Sequence, residues 1–241
     1  MKSPLDISDP YVRRARLQPA MLVAFPLALA VLAWSPTGLV GWGLLWSLFV
    51  WCGGTALLGQ LARDRGRRKE PELFRIWGGK PTTRLLRHRD TPNAVVLDRR
   101  HKKLQRLVTG VQIPTRNEEQ ANPDFADDVY DACTGFLLEK TRTDKEHFPL
   151  VFEENCNYGF RRNLWGMKPL GIASSLAGLG AIAVLFVIRH GAGIAPSPIA
   201  LVCAAMTLSL LVGWVAWFTP DWVRIPAEAF AERLLAASEN L

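Results

Sequence analysis

The stretch WGGKPTTRLLRHRD, residues 77–90, has the residue types of a phosphate-binding loop. A Walker-type loop has the pattern G-x-x-x-x-G-K-[ST], in which backbone N–H groups point at the phosphates and a helix begins at the Lys-Thr step. Here the upstream glycine is absent, and Pro81 follows Lys80. Proline has no N–H group and disfavours a helical conformation for the residue before it. The stretch therefore argues against hydrolysis of a nucleoside triphosphate.

The same stretch still predicts an anion-binding site. Proline suits the first turn of a helix, where free N–H groups and nearby guanidinium groups attract anions. The alternative is a basic segment attracted to anionic lipid headgroups, worth about 1 kcal/mol for each basic residue near the surface. Residues 63–69 suit that alternative better, because two leucines interleave with the charges of residues 80–89. The candidate anion-binding residues are Lys80, Thr82, Thr83, Arg84, Arg87, His88 and Arg89.

A second stretch, NYGFRRNLWGMKPLG at residues 157–171, alternates aromatic and basic side chains. Such a mixture can stack on bases and pair with phosphates. A helix that enters the membrane interface would carry the same mixture. Tyr158, Arg161 and Arg162 are therefore second-choice residues for the anion site.

Signatures of catalysis are weak. The four histidines lack metal-ligand spacing, and the four cysteines form no C-x-x-C motif. We predict no metal site, no cofactor and no enzymatic activity. The competing hypothesis is a thiol-dependent membrane enzyme, in which Cys133 or Cys156 would pair with His147.

Two apolar blocks of the sequence predict the helices between which these residues lie. Of the chain, 49% is hydrophobic, and the apolar residues concentrate at positions 20–62 and 170–219. Runs of about 20 apolar residues are long enough to cross a bilayer. We predict spans at residues 21–34, 38–62, 169–188 and 199–218, arranged as two helical hairpins. A re-entrant or interfacial helix is the alternative for residues 21–34.

The predicted spans contain no Asp, Glu, Lys or Arg, which argues against a proton relay or a voltage sensor. Ser47, Thr55 and Gly59 form a thin polar stripe, so they are pore-lining candidates. The alternative is that these hydroxyls bond to their own helix. Small residues from Gly171 to Ala181 predict close helix contact, within one subunit or between copies.

Basic residues flank the spans, whereas the hairpin tips carry little positive charge. The positive-inside rule then predicts that both termini and the middle of the chain lie in the cytoplasm. In the middle, residues 94–98 and 106–114 suggest strands, and a helix begins near Asn122, its N-cap. The predicted fold is a mainly α integral membrane protein with two transmembrane hairpins flanking a small α+β cytoplasmic domain.

The predicted segments are an N-terminal cytoplasmic segment (1–19), hairpin 1 (20–62), a basic α+β domain (63–168), hairpin 2 (169–219) and a C-terminal amphipathic helix (220–241). Residues 63–168 hold 22 of the 29 Lys and Arg, against 16 Asp and Glu. The formal charge of +7 therefore resides mainly in the middle.

The tracts LFRIWGGKPTTRLLRHRD and ENCNYGFRRNLWGMKPLG, set between two predicted hairpins, resemble the four-helix membrane effectors of bacterial anti-phage systems, such as the Hailong-type effector. The resemblance implies a homo-oligomeric channel or pore in the lipid bilayer of the bacterial inner membrane. It also implies a nucleotide or oligonucleotide signal and a nucleotidyltransferase partner. The alternative function is a non-channel membrane scaffold that recruits a soluble partner through its basic face.

Overall fold

The computed structural model describes residues 9–34 and 54–241. These residues are helical almost throughout, and they contain no β-strand. Short π-helical segments occupy Val12–Leu17 and Gly213–Trp217, and a 3-10 turn occupies Ser238–Asn240. The α-helices are α1 Gln18–Trp34, α2 Gly54–Trp77, α3 Pro81–Arg84, α4 Ala94–Leu107, α5 Arg116–Ala121, α6 Pro123–Thr143, α7 Pro149–Gly166, α8 Lys168–Gly191, α9 Pro198–Val212 and α10 Pro220–Ala237.

The predicted α+β domain is wrong. Residues 94–98 open α4, where the Asn93 side chain caps the helix by accepting from the Val96 N–H at 3.1 Å. Leu97, His101 and Leu104 are buried at helical spacing. The second predicted strand, residues 106–114, is instead the end of α4 and a segment without regular structure.

The predicted arrangement of four spans in two hairpins is also wrong for this structure. In the described ranges, three helical stretches are long and apolar enough to cross a membrane: Val12–Trp34, Lys168–Gly191 and Pro198–Trp217. Most of the predicted span 38–62 lies outside the described residues. Its last residues begin α2, which continues through a strongly charged sequence to Trp77. The finding is consistent with a membrane protein.

The chain divides into two compact units, Met1–Glu70 with Gly159–Val223 (unit 1) and Pro71–Tyr158 with Arg224–Leu241 (unit 2). In unit 1, α1, α8 and α9 pack against one another. A Cβ atom at Gly171 would lie 2.2 Å from the Trp214 ring, and one at Gly178 would lie 2.8 Å from the Pro26 carbonyl oxygen. These small residues therefore serve helix packing inside the unit.

Unit 2 is built around α6. The predicted cap is confirmed, because the Asn122 side chain accepts from the Phe125 N–H at 3.2 Å and Pro123 occupies the first turn. Tyr130 and Leu137 of α6 are fully buried, together with Leu234 and Leu235 of α10. The apolar face of α10 thus packs on this core, whereas Phe125, in the first turn of α6, is 60% exposed.

Candidate anion-binding site

The glycine pair of the opening stretch ends helix α2. Gly78 and Gly79 have φ values of 77° and 137°, which favour glycine. The Gly79 N–H donates to the Phe74 carbonyl at 2.8 Å, and the Gly78 N–H donates to the Arg75 carbonyl at 3.4 Å. Both N–H groups therefore satisfy the last carbonyls of a helix and are not free to bind a phosphate.

Lys80 and Thr83 are brought together by one carboxylate. Lys80 precedes α3 with an extended backbone, as expected before proline. Its ammonium group forms an ion pair with Asp131 of α6, and the Thr83 hydroxyl donates to the same carboxylate. Thr82 lies beside them in α3 and is partly buried.

Arg87 is the most buried cation of the predicted site, with 8% of its surface exposed. Its Nε and Nη2 donate to the two oxygens of Asp127 at 2.8 and 2.5 Å, and its Nη1 donates to the Gly78 carbonyl at 2.8 Å and to Asp90 at 3.0 Å. Burial by itself would lower the pKa of Arg87, but the bonds to Asp127 and Asp90 outweigh it and raise that pKa. Arg87 thus joins the end of α2 to α6.

Arg89 and His88 are held by Glu119 of α5, whose side chain is almost fully buried. The carboxylate accepts from the backbone N–H groups of both residues, from the Arg89 guanidinium at 3.1 Å and from the Tyr130 hydroxyl at 2.8 Å. Burial would raise the pKa of Glu119, but these donors outweigh it and lower the pKa. Arg89 also donates to Asp127 at 3.0 Å.

Two histidine rings adjoin this network. The His101 Nε2 lies 2.8 Å from the Leu86 carbonyl, which requires Nε2 to carry the proton, and its ring stacks on Tyr130. The His88 Nε2 lies 3.2 Å from the Pro114 carbonyl. Burial lowers the pKa of His101, in spite of the bond to Leu86. The neutral ring is therefore part of the core.

The seven first-choice residues lie together in unit 2, but their charges are balanced internally. Arg84 lies 3.7 Å from Asp90 and 3.9 Å from Glu228, which completes the ion pairs of the four cations. We call this set the charge network; its carboxylates are Asp90, Glu119, Asp127, Asp131 and Glu228. A shallow cleft of about 380 Å³ beside Lys80 and Arg87 is lined by both signs of charge. Binding of an anion there stays a prediction.

The sequence reasoning missed the carboxylates. Neither Asp127 nor Asp131 belongs to a motif that marks it as a partner of the basic stretch. The available signal was their i,i+4 spacing, which places both on one face of the helix. Their partners lie about 40 and 51 residues earlier, beyond any local pattern.

The second-choice residues are divided between the units. Tyr158 belongs to unit 2 and stacks on Phe230. Arg161 and Arg162 belong to unit 1. Arg161 lies over the Trp222 ring and donates to the Trp222 carbonyl at 2.9 Å, whereas Arg162 forms an ion pair with Glu70 at 2.9 Å.

Of the pore-lining candidates, Ser47 and the Thr55 side chain lie outside the described residues. Gly59 is buried in unit 1 against the π-helical segment that precedes α1. In α8 and α9 the hydroxyls bond to backbone carbonyl oxygens. They belong to Ser174, Ser175, Thr207 and Ser209.

One cysteine of the thiol hypothesis, Cys133, lies in an environment that makes it unreactive. Cys133 is buried, and burial raises its pKa to about 11, so the thiol is protonated at neutral pH. In the described ranges no group of three His, Cys, Asp or Glu side chains is placed to hold a metal ion.

Comparison with known proteins adds no relative. The chain matches no protein family, no curated protein and no solved structure. Its function must therefore be inferred from its own residues.

Proposed function

We propose that the protein is a membrane-anchored scaffold that recruits an acidic soluble partner. The observation that carries this proposal is the basic outer face of α4. That helix contains five Lys and Arg and only one Asp, and its opposite face, with Leu97, His101 and Leu104, is buried in unit 2. We call Arg99, Arg100, Lys102, Lys103 and Arg106 the basic face of α4.

The C-terminal end of the basic face of α4 carries cations without an ion-pair partner in the described part of the chain. Arg99 pairs with Glu239 at 3.1 Å, and Lys102 pairs with Asp98 at 2.6 Å. Lys103 and Arg106 form no ion pair with any residue that the structure describes. Arg106 is exposed and Lys103 is partly exposed. Cations at a protein surface steer an acidic protein and accelerate its association.

The membrane-spanning helices favour an anchor over a transporter. The three candidate spans contain no acidic residue, and the hydroxyls of α8 and α9 are bonded to backbone carbonyls. An ion pathway needs polar groups that remain available to the ion. An anchor needs only an apolar surface, such as that of Val187, Val202 and Trp217, which are 72%, 57% and 67% exposed.

Site-specific photo-crosslinking tests recruitment. A crosslinking residue at position 103 or 106 of the full chain should capture one acidic soluble protein in cells. The matched controls are positions 140 and 142, which carry exposed basic residues on α6. The captured protein, once purified, should bind proteoliposomes that hold the wild-type chain and should lose binding when Lys103→Glu and Arg106→Glu are combined. Equal capture at all four positions would refute the basic face as the recruiting surface.

We place the protein in the bacterial inner membrane, with both termini and unit 2 in the cytoplasm. The support is the arginine-rich segments beside the spans and the positive-inside rule. Thr109→Cys in unit 2 should resist a membrane-impermeant thiol reagent applied to intact spheroplasts. Gly193→Cys, between α8 and α9, should react with it. The reverse pattern would invert the topology.

A second candidate function is the gated pore of an anti-phage effector. Two π-helical segments, Val12–Leu17 and Gly213–Trp217, lie at the ends of candidate spans, and such segments are frequent at functional sites. We propose that several copies form the pore. A nucleotide or oligonucleotide made by a partner nucleotidyltransferase would compete with the carboxylates of the charge network for Arg84 and Arg87.

Two measurements separate the candidates. Liposomes that contain the full chain should release a fluorescent ion indicator only when the nucleotide is present, if the pore exists. Nucleotide affinity should then fall when Arg84→Ala and Arg87→Ala are combined. Absence of flux with every nucleotide tested, while the acidic partner still binds, would leave the scaffold as the function.

A further inference from the structure

Three cations on the basic face of α4 form one row along the helix. Arg99, Lys103 and Arg106 follow one another at intervals of four and three residues, so they lie on the same side of α4. That side is opposite to the one that is buried in unit 2. We call these three residues the cation row.

A carboxylate of the same chain already holds the first member of the cation row. Arg99 pairs with Glu239 at 3.1 Å, and Glu239 belongs to the 3-10 turn Ser238–Asn240, which contacts α4. The turn is fixed, because the buried Ser238 hydroxyl donates to the Leu235 carbonyl at 2.6 Å. The Glu239 side chain itself is 41% exposed. A ligand can therefore displace this carboxylate from Arg99 by rotating one side chain.

The other two cations of the row need no such displacement. Lys103 and Arg106 form no ion pair with a residue that the structure describes. An exposed pair such as Arg99 with Glu239 contributes little free energy. A ligand that contacts the whole cation row must compete with Glu239, but only against a weak interaction.

An exposed apolar side chain extends the row at its N-terminal end. Val95 lies four residues before Arg99 and therefore on the same side of α4. It is 80% exposed, the highest value among the large apolar side chains that the structure describes. A protein segment can cover the cations with carboxylates and the valine with an apolar side chain. A chain of phosphates offers no apolar group to Val95, so the surface favours a protein.

We infer that the basic face of α4 binds an acidic helix with an apolar residue one turn beyond its carboxylates, and that Glu239 competes with this helix for Arg99. The inference rests on the proposed scaffold function, because it names the binding element of the acidic partner. Glutamates at positions i, i+4 and i+7 of a helix recur at the spacing of the cation row. Removal of the Glu239 charge should therefore strengthen binding.

Binding of a synthetic helical peptide to the full chain in a neutral detergent tests this inference. The leucine peptide carries glutamates at i, i+4 and i+7, and a leucine one turn beyond each end of them, so that it can bind in either direction. The serine peptide has serines in place of both leucines. Fluorescence anisotropy of the labelled peptides gives the Kd for the wild type and for each variant.

The expected changes differ between the variants. Lys103→Gln combined with Arg106→Gln should raise the Kd of the leucine peptide about ten-fold, whereas Glu239→Gln should lower it about three-fold, because Arg99 becomes available. The matched control is Glu139→Gln, which removes an exposed carboxylate of α6 and should leave the Kd unchanged. Val95→Ser should raise the Kd of the leucine peptide about five-fold and leave that of the serine peptide unchanged.

The outcomes separate this inference from the proposed function. Unchanged leucine-peptide binding after the combined Lys103 and Arg106 substitutions would refute both. If that binding falls, the inference alone is refuted when Glu239→Gln behaves like Glu139→Gln, or when Val95→Ser weakens both peptides equally. It is also refuted if a single-stranded oligonucleotide binds the wild type more tightly than the leucine peptide and loses affinity in the same double variant. All the substituted side chains are at least partly exposed, so these changes leave the core intact.

Discussion

Replacing Arg87 by methionine tests whether the charge network holds residues 78–90 against α6. Arg87 is 8% exposed and donates to Asp127, to Asp90 and to the Gly78 carbonyl. Methionine fills a similar volume but donates no hydrogen bond. The substitution leaves Asp127 with one cationic partner, Arg89, and removes the link to the turn that ends α2.

The expected loss follows from burial. Removing one member of a buried ion pair costs about 3–5 kcal/mol, because the remaining charge is left desolvated. Asp127 is 27% exposed and keeps Arg89, so we expect the lower end of that range, about 3 kcal/mol. Since about 1.4 kcal/mol corresponds to a factor of ten in an equilibrium constant, local opening should become about a hundredfold more frequent.

Hydrogen exchange of the full chain in detergent measures this opening directly. Amides of residues 84–91 and of α6 should lose about a hundredfold protection in Arg87→Met, if exchange follows local opening. The matched control is Arg84→Met, because Arg84 is 26% exposed and its ion pairs are 3.7 and 3.9 Å long. Exposed pairs of this kind contribute less than about 1 kcal/mol. Equal effects of the two substitutions would refute the role assigned to the buried pair.

Three further predictions concern glycine contacts and one buried ring. Gly79→Ala should destabilise unit 2 by about 1–3 kcal/mol in urea unfolding, because φ is 137° and the new Cβ would lie 2.7 Å from a guanidinium nitrogen. Gly135→Ala is the control: its new Cβ would lie in open space, so this substitution should be neutral or stabilising. Gly171→Ala should lower the melting temperature in detergent, because its Cβ meets an indole ring at 2.2 Å, whereas Gly180→Ala should not. The lowered pKa of His101 means that the unfolded chain binds more protons. Stability should therefore fall as the pH drops below about 6.5, and His101→Asn should remove that dependence.

Short sequence patterns predicted correctly the helix starts and apolar helices that interactions between near neighbours, or with the bilayer, determine. The Asn-Pro start of α6 was recognisable because a side-chain cap and a first-turn proline act within four residues. The apolar helices α8 and α9 were recognisable because a bilayer requires long uninterrupted apolar runs. Both signals remain valid whatever the tertiary context.

The false strand at residues 94–98 shows where such signals fail. Val95 and Val96 are β-branched, and branched residues favour strands when only local propensity is considered. The helical period of α4 depends on Leu97, His101 and Leu104 being buried together. A histidine at the middle position hid that period, because its burial depends on the Leu86 carbonyl and the Tyr130 ring, which come from elsewhere in unit 2.

The charge network shows the same limit for function. A run of cations such as residues 80–89 suggests a vacant anion site only while its partners are unknown. Three of those partners, Glu119, Asp127 and Asp131, lie 30 to 51 residues away in α5 and α6. A fourth partner, Glu228, lies still farther along the chain in α10. A ligand at Arg87 must displace Asp127, which already accepts in a bidentate geometry at 2.8 and 2.5 Å. At Lys103 and Arg106 no carboxylate has to be displaced within the described chain. Anionic partners should therefore bind first at these cations, and at the opening loop only when binding also separates it from α6.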